Sequence, residues 1–348
     1  MSKNCFNSEH SYLLKSICYN STIGKIYDRH HTTSFWRLPI TQAVKEKGMN
    51  IDKFNAKIKD VGGIPVTRLL PQSKRKTIGA WCFLDHAGPA EFAQDALGMQ
   101  VGLHPHTNLQ TFTWMLEGEV WHQDSLGHRQ LIKPKQVNLM TAGTGDEHGI
   151  SHTEQTPDGV KQLHAVQLWI ALPMNQHIKP NFEHYPQLPE WSENGINYIL
   201  TTGTYLGHTA PTTQFSPLVG VDMQFQQAQP FSIEKRPHFE YGFLIINGEL
   251  KINGVSYGKE ELVVLSDCDK ADEQLQLWAS QGTHIMLLGG EPLPHRTVIW
   301  WNFVADSGEK LQQAVEDWNN GHPRFGNISL EGTQLTRLPA PKVPAKIA

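Results

Sequence analysis

The run GLHPHTNLQTFTWMLEGEVWHQDSLG at residues 102–127 bears on both the fold and the chemistry of the chain. The segments QTFTWML and EVWHQ are rich in aromatic and β-branched residues that alternate with polar ones. The breaks around them carry Gly, Pro, Asn or Asp, which is how short strands joined by tight turns are written. Within the run, His104-Pro105-His106 places two imidazoles at i and i+2. Alternate side chains of a strand point the same way, so both rings could reach one ion. Alone the pair weighs little, because 18 His among 348 residues give about one H-x-H by chance.

A second pair lies downstream at His152-Thr153-Glu154, again at i and i+2. Two such pairs on neighbouring strands would gather three imidazoles and one carboxylate without help from loops. Neutral imidazoles with one carboxylate and no thiolate suit Fe(II), Mn, Co, Ni, Cu or Zn rather than Ca or Mg. Four ligands in an octahedral sphere leave two positions for water, substrate or dioxygen, whereas a tetrahedral zinc would be closed. If the strand after His106 is unbroken, Gln110, Phe112 and Trp114 continue the inward parity as an aromatic wall for a flat ligand. Phe112 and Trp114 would serve equally well as plain core. His238-Phe239-Glu240 repeats the H-x-E spacing with no H-x-H near it. H-E-x-x-H and the phosphate-binding G-x-x-x-x-G-K-[ST] are absent from the sequence.

Outward from the quoted run, VTRLL, AWCFLDH, QLIK, QVNLMT and HAVQLWIAL continue the strand pattern from Gly62 to about Pro173. A second set runs from Tyr198 to about Val304, with an Asn253-Gly254 hairpin signal. Successive short strands argue for barrels or sandwiches rather than βαβ units. QHIKPNFEHYPQLPEW between the sets reads as a linker or strap, residues 308–318 as one amphipathic helix, and the tail from Pro339 as loose. Residues 1–48 are polar and unpatterned, so they read as a disordered extension, and Met49 is a candidate for the functional start. The expected layout is an extension over 1–48, a metal-binding barrel over 49–180, a metal-free barrel over 181–305, and a helix with tail over 306–348.

At 348 residues the chain is long enough for about two domains. Lys+Arg 30 against Asp+Glu 34 leaves a net charge of −4, which gives no basic field for nucleic acid. Cys5, Cys18, Cys82 and Cys268 form no C-x-x-C, so neither a disulfide framework nor a thiolate zinc site is indicated. No leader of basic and apolar regions opens the chain and no apolar run is long enough to span a bilayer. These features predict a cytoplasmic protein without a membrane partner.

FLDHAGPAEF, the quoted run, NLMTAG, GISHTE, LHAVQLWIALP and LLGGEPLPHRTVIWWNFV follow one another in an order that resembles the pirin family of the cupin superfamily. The resemblance covers roughly residues 62–304. It implies an all-β fold of two tandem cupin (jelly-roll) β-barrels with a short C-terminal helix, and metal in the N-terminal barrel only. The family's ligands would fall on His104, His106, His152 and Glu154, around one divalent metal that is usually iron. Several members resemble quercetin 2,3-dioxygenases, which implies a small aromatic substrate and O2, with Glu154 as ligand and base. Others resemble transcriptional regulators, so the alternative is a metal-dependent module that binds a regulatory protein partner without turnover.

The sequence departs from the family at three places. Gln110 stands where pirins commonly have Glu, and Lys135-Gln136 where cupins favour a glycine turn. TGDEHG at residues 144–149 lengthens the link before the H-x-E pair by about four residues relative to the family spacing. It brings in Glu147 and His148 as alternative ligands.

Overall fold

The computed structural model describes residues 49–93, 95–266 and 275–345, so the reading of residues 1–48 falls outside it. The first half builds β1 (Asn50–Asn55), β2 (Lys57–Val61), β3 (Ile64–Leu70), β4 (Trp81–Glu91), β5 (Gln100–His106), β6 (Leu109–Glu117), β7 (Val120–Asp124), β8 (Arg129–Ile132), β9 (Val137–Thr141), β10 (Ile150–Gln155), β11 (Gln162–Ala171) and β12 (Asn181–Tyr185). Among the described residues these form a seven-stranded sheet, in the order β12-β9-β6-β11-β4-β3-β2, facing a four-stranded sheet β5-β10-β7-β8. A second pair of sheets repeats the plan. Its large sheet runs β1, Glu261–Ser266, Glu240–Asn247, His284–Gly290, Leu218–Phe225, Ile196–Thr202, Glu190–Glu193. The fold is all-β, two tandem cupin barrels, with helix α1 (Gly308–Asn319) capped by Ser307.

The two large sheets pack against each other, so their central strands are buried on both faces and lose the polar-out alternation of a solvated sheet. Trp81, Leu84, Phe112, Trp114, Leu139, Val166 and Leu168 meet Leu244, Ile246, Leu262, Val264, Met286 and Leu288 in one apolar layer. Each such side chain contributes about 1.5–3 kcal/mol by leaving water. The Trp81 indole N–H donates to the Gly289 carbonyl at 3.1 Å across this layer. The second barrel's interior is packed with apolar side chains, among them Tyr205, Phe225, Tyr241 and Phe243.

The sheets cross the boundary expected at residue 180. β1 pairs with Glu261–Ser266 of the second barrel, and β12 pairs with β9 of the first. The segment read as a linker is therefore partly an edge strand, because its Asn181–Tyr185 completes the ladder that β9 offers. The tail is docked as well. Leu103 N–H donates to the Thr336 carbonyl and Leu338 N–H to the Leu103 carbonyl, both at 2.9 Å, and the Trp300 indole bonds the Pro341 carbonyl. The Asn253-Gly254 hairpin forms as expected, with both residues at positive φ. At the turn before β9, Lys135 takes φ 63°, so the left-handed geometry survives without glycine.

Candidate metal centre

β5 and β10 are antiparallel neighbours with His152 opposite His104 and Ile150 opposite His106. The period of two then turns all three imidazoles into the first barrel, where one ring nitrogen from each lies within 4.8 Å of the others. The outer nitrogens fix which atoms face inward. His104 Nδ1 lies 2.8 Å from the Gly102 carbonyl and His106 Nδ1 3.1 Å from that of Asn302. Carbonyls only accept, so both Nδ1 atoms carry the proton and both Nε2 atoms present lone pairs.

His152 reaches the same state through a longer chain. His122 Nε2 is 3.1 Å from Asp124 Oδ2, and His122 Nδ1 is 3.2 Å from His152 Nδ1. The carboxylate must accept, so His122 donates from Nε2 and receives the Nδ1 proton of His152. His128 adds an Nδ1 contact to Asp124 at 3.1 Å. Burial opposes the Asp124 charge, but the His122 and His128 contacts hold its carboxyl below the usual range. Such carboxylate–histidine supports orient metal-binding imidazoles.

Burial, with mutual repulsion among the rings, pushes His106 and His152 well below the usual imidazole value. Burial also takes His104 down to about 4. All three are neutral at physiological pH, the state that binds metal. His106 Nε2 and His152 Nε2 stand 3.0 Å apart with facing lone pairs, which repel unless a cation lies between them. Two nitrogens each ~2.1 Å from one ion and at right angles to it are ~3.0 Å apart. The donor set fits a divalent transition metal.

Glu154 lines the same cavity, but the ladder shifts between His152 and Glu154, so Glu154 sits opposite Val101. Its carboxylate lies outside the tight three-histidine group, and burial pushes it up to about 7. Glu147 and His148 stay away from that group and gather with His177.

The expected aromatic wall is not in the cavity. The chain bends after His106, with Asn108 at φ 55°, and passes from the small sheet to the large one. The parity resets there. Thr111, Thr113 and Met115 face the metal cavity, while Phe112 and Trp114 enter the layer between the barrels. The Trp114 indole N–H donates to Asp222 Oδ2 at 2.9 Å. Gln110 shares their parity and gives its amide to Thr141 Oγ1 at 3.0 Å, outside the cavity.

The aromatic surface comes instead from β4 and β11. Phe83 and Trp169 stack with centroids 3.8 Å apart, and Trp169 stands edge-on to His106 at 5.1 Å. Arg68 lies over Phe83 and clasps Asp85 through two bonds of 2.8 and 2.6 Å. Burial outweighs Arg68 and raises the Asp85 carboxyl. The cavity holds about 360 Å³, at the lower end of small-molecule sites, and Trp301, Asn302 and Leu338 from later in the chain also line it. Elsewhere, Glu240 of the second H-x-E is taken by Arg75 and the Gly79 amide, at 2.6 and 2.8 Å.

Comparison with known proteins bears on the family. The pirin family model matches residues 63–170, and that of the pirin C-terminal cupin domain matches residues 220–326. The chain belongs to the pirin family. It is 47% identical over 288 residues to a Pseudomonas aeruginosa pirin relative provisionally named quercetin 2,3-dioxygenase PA1205, covering 82% of this chain and 88% of the relative. A pirin-like protein of Caulobacter vibrioides is 32% identical over 284 residues, covering 79% and 95%. The crystal structure of a quercetin 2,3-dioxygenase from Acinetobacter baumannii superposes with TM-score 0.79 at 44% identity, covering 86% of this pirin and 97% of that chain.

Sequence reasoning passed over several residues of this pirin's site. His122 and Asp124 form an H-x-D at i and i+2 inside the quoted run, so parity alone could have raised them. Phe83, Asp85, Trp169 and Arg68 carried no local signal. Only the pairing of β3, β4 and β11 brings them together.

Proposed function

We propose that this pirin is a metal-dependent dioxygenase that opens the ring of quercetin or a related enol with O2. The observation that carries the proposal is the convergence of three buried Nε2 lone pairs and the Glu154 carboxyl on a cavity walled by the Phe83–Trp169 stack. His104, His106 and His152 would hold the ion through Nε2, with Glu154 completing the set. When bound, a divalent ion of the Fe(II), Mn, Co, Ni, Cu or Zn class supplies open coordination positions, and a redox-active one such as iron, the favoured occupant, also supplies electrons for O2 chemistry.

The chain's own residues prepare the substrate. Trp169, set edge-on to His106, offers the flat surface on which a flavonol ring lies beside the ligands. Glu154, with its carboxyl poised near neutrality, takes the enol proton. Trp301 and Leu338, apolar side chains of the cavity lining, exclude water from the enolate.

Protein loaded with each metal in turn should consume O2 with quercetin and release carbon monoxide. His106→Ala should abolish both, and Glu154→Gln should lower turnover by about 10²–10⁴-fold, the usual worth of a general base. Absence of O2 uptake with quercetin and related enols under every metal refutes the proposal.

A further inference from the structure

The loop at residues 144–149 is clamped in place. Thr144 N–H donates to the Ile178 carbonyl at 2.9 Å, Thr144 Oγ1 donates to the Gln176 carbonyl at 2.6 Å, and Ile178 N–H returns a bond to Thr144 Oγ1 at 2.9 Å. Arg324 Nη1 donates to the Asp146 carbonyl at 2.9 Å, and its guanidinium is balanced by Asp317 at 3.0 Å. This frame holds two side chains of the loop against His177, which follows β11.

Glu147 Oε1 lies 3.5 Å from His177 Nδ1 and 3.9 Å from His148 Nε2, and all three donor atoms fall within 4.8 Å of one another. These gaps exceed the ~3.2 Å limit of a good N–H···O bond. Donors sharing one ion at ~2.0–2.1 Å are ~3.4 Å apart at a tetrahedral angle and ~4.2 Å apart when opposite each other. Independently, His148 Nε2 is shielded from solvent and has no hydrogen-bond partner. A ring nitrogen in that condition has lost its water without gaining a partner, which a bound cation would restore.

We propose that Glu147, His148 and His177 form a second divalent-cation site, separate from the three-histidine centre. Two imidazoles and one carboxylate select an ion of the zinc, nickel, cobalt or copper class over calcium or magnesium. Water completes the sphere on the open side, where Glu147 and His177 are 58% and 63% exposed. The ion ties the loop to the segment after β11. That loop runs directly into β10, so the second site braces the strand bearing His152. The inference is independent of the dioxygenase proposal.

Equilibrium dialysis of the full chain against micromolar zinc, followed by elemental analysis, tests it. Wild type should hold two equivalents, His177→Ala one and His106→Ala one. Zinc should raise the melting temperature of His106→Ala, and it should fail to do so once His177→Ala is added. His177 is exposed, so its replacement leaves the fold intact. The proposal is overturned if His106→Ala binds no zinc, or if His177→Ala and His148→Ala both bind as many equivalents as wild type. Quercetin turnover, read in parallel, reports on the first centre alone.

Discussion

Phe112→Leu is expected to lower stability by about 2 kcal/mol, since truncation of a buried Phe to Ala costs about 3–5 kcal/mol and leucine keeps about half of the carbon removed. The site supports a value of this size. Phe112 is 1% exposed, meets Trp81 edge-on at 5.5 Å and 84°, and lies in the layer where the two large sheets touch. Loss of the ring contact accounts for about 0.5–1.5 kcal/mol of the total. With a shift of roughly 2–4 °C per kcal/mol for chains near this size, the melting temperature should fall by about 4–8 °C. Calorimetry on metal-loaded protein, with metal content and the KM for quercetin measured on the same samples, makes the comparison. Metal content and KM should not move, because the ring faces away from the cavity. By contrast Trp169→Leu, on the cavity wall, should raise KM. An unchanged melting temperature in Phe112→Leu together with a several-fold rise in KM would return Phe112 to the substrate wall and refute the reset of parity at Asn108.

Three other outcomes follow from the same geometry. His122→Ala removes the acceptor of His152 Nδ1–H and should weaken metal binding about 10–100-fold, measured by competition with a chelating dye. Gly102→Ala would bring a Cβ to 2.2 Å from the Thr336 carbonyl. It should dislodge residues 336–338 from β5, expose Arg337 to trypsin and cost about 1–3 kcal/mol, whereas an unchanged digestion pattern would show that the tail yields without detaching. His86 is pushed by burial down to about 3, and its Nε2 is 2.7 Å from that of His164. Its folded value lies below its unfolded one, so the stability it contributes is complete above about pH 6.5 and is lost as pH falls towards 3, by at most about 1.4 kcal/mol per unit. Melting temperatures of His86→Gln should therefore decline less steeply than those of wild type between pH 6.5 and 5, and parallel curves would refute the assignment.

The three-histidine cluster was legible because its signal is local. Two residues at i and i+2 on a strand need nothing beyond strand geometry, and β5 and β10 supplied it. Phe112 and Trp114 were misread for a related reason, since parity carries only as far as the strand does and Asn108 ends it. β12 was hidden among prolines, because an edge strand takes its order from the ladder it joins rather than from its own composition. Leu338 and Asn302 reach the site from the far end of the chain, and nothing near them in sequence announces the cavity they line. The second cluster was half visible. Glu147 and His148 stood out as an insertion, but His177 joined them only through the clamp at Thr144.

The exchange of edge strands has a consequence for the order in which the molecule can assemble during synthesis. β1 leaves the ribosome early, yet its partner at Glu261–Ser266 emerges only after the whole first barrel has been made. The first barrel in turn waits for β12 at one edge and for Thr336 beside β5. The first barrel reaches its final hydrogen-bonding only after Thr336 and Leu338 are made, and the second only after Glu261–Ser266 and His284–Gly290 are, so a nascent chain paused midway holds open sheet edges that can pair with strangers.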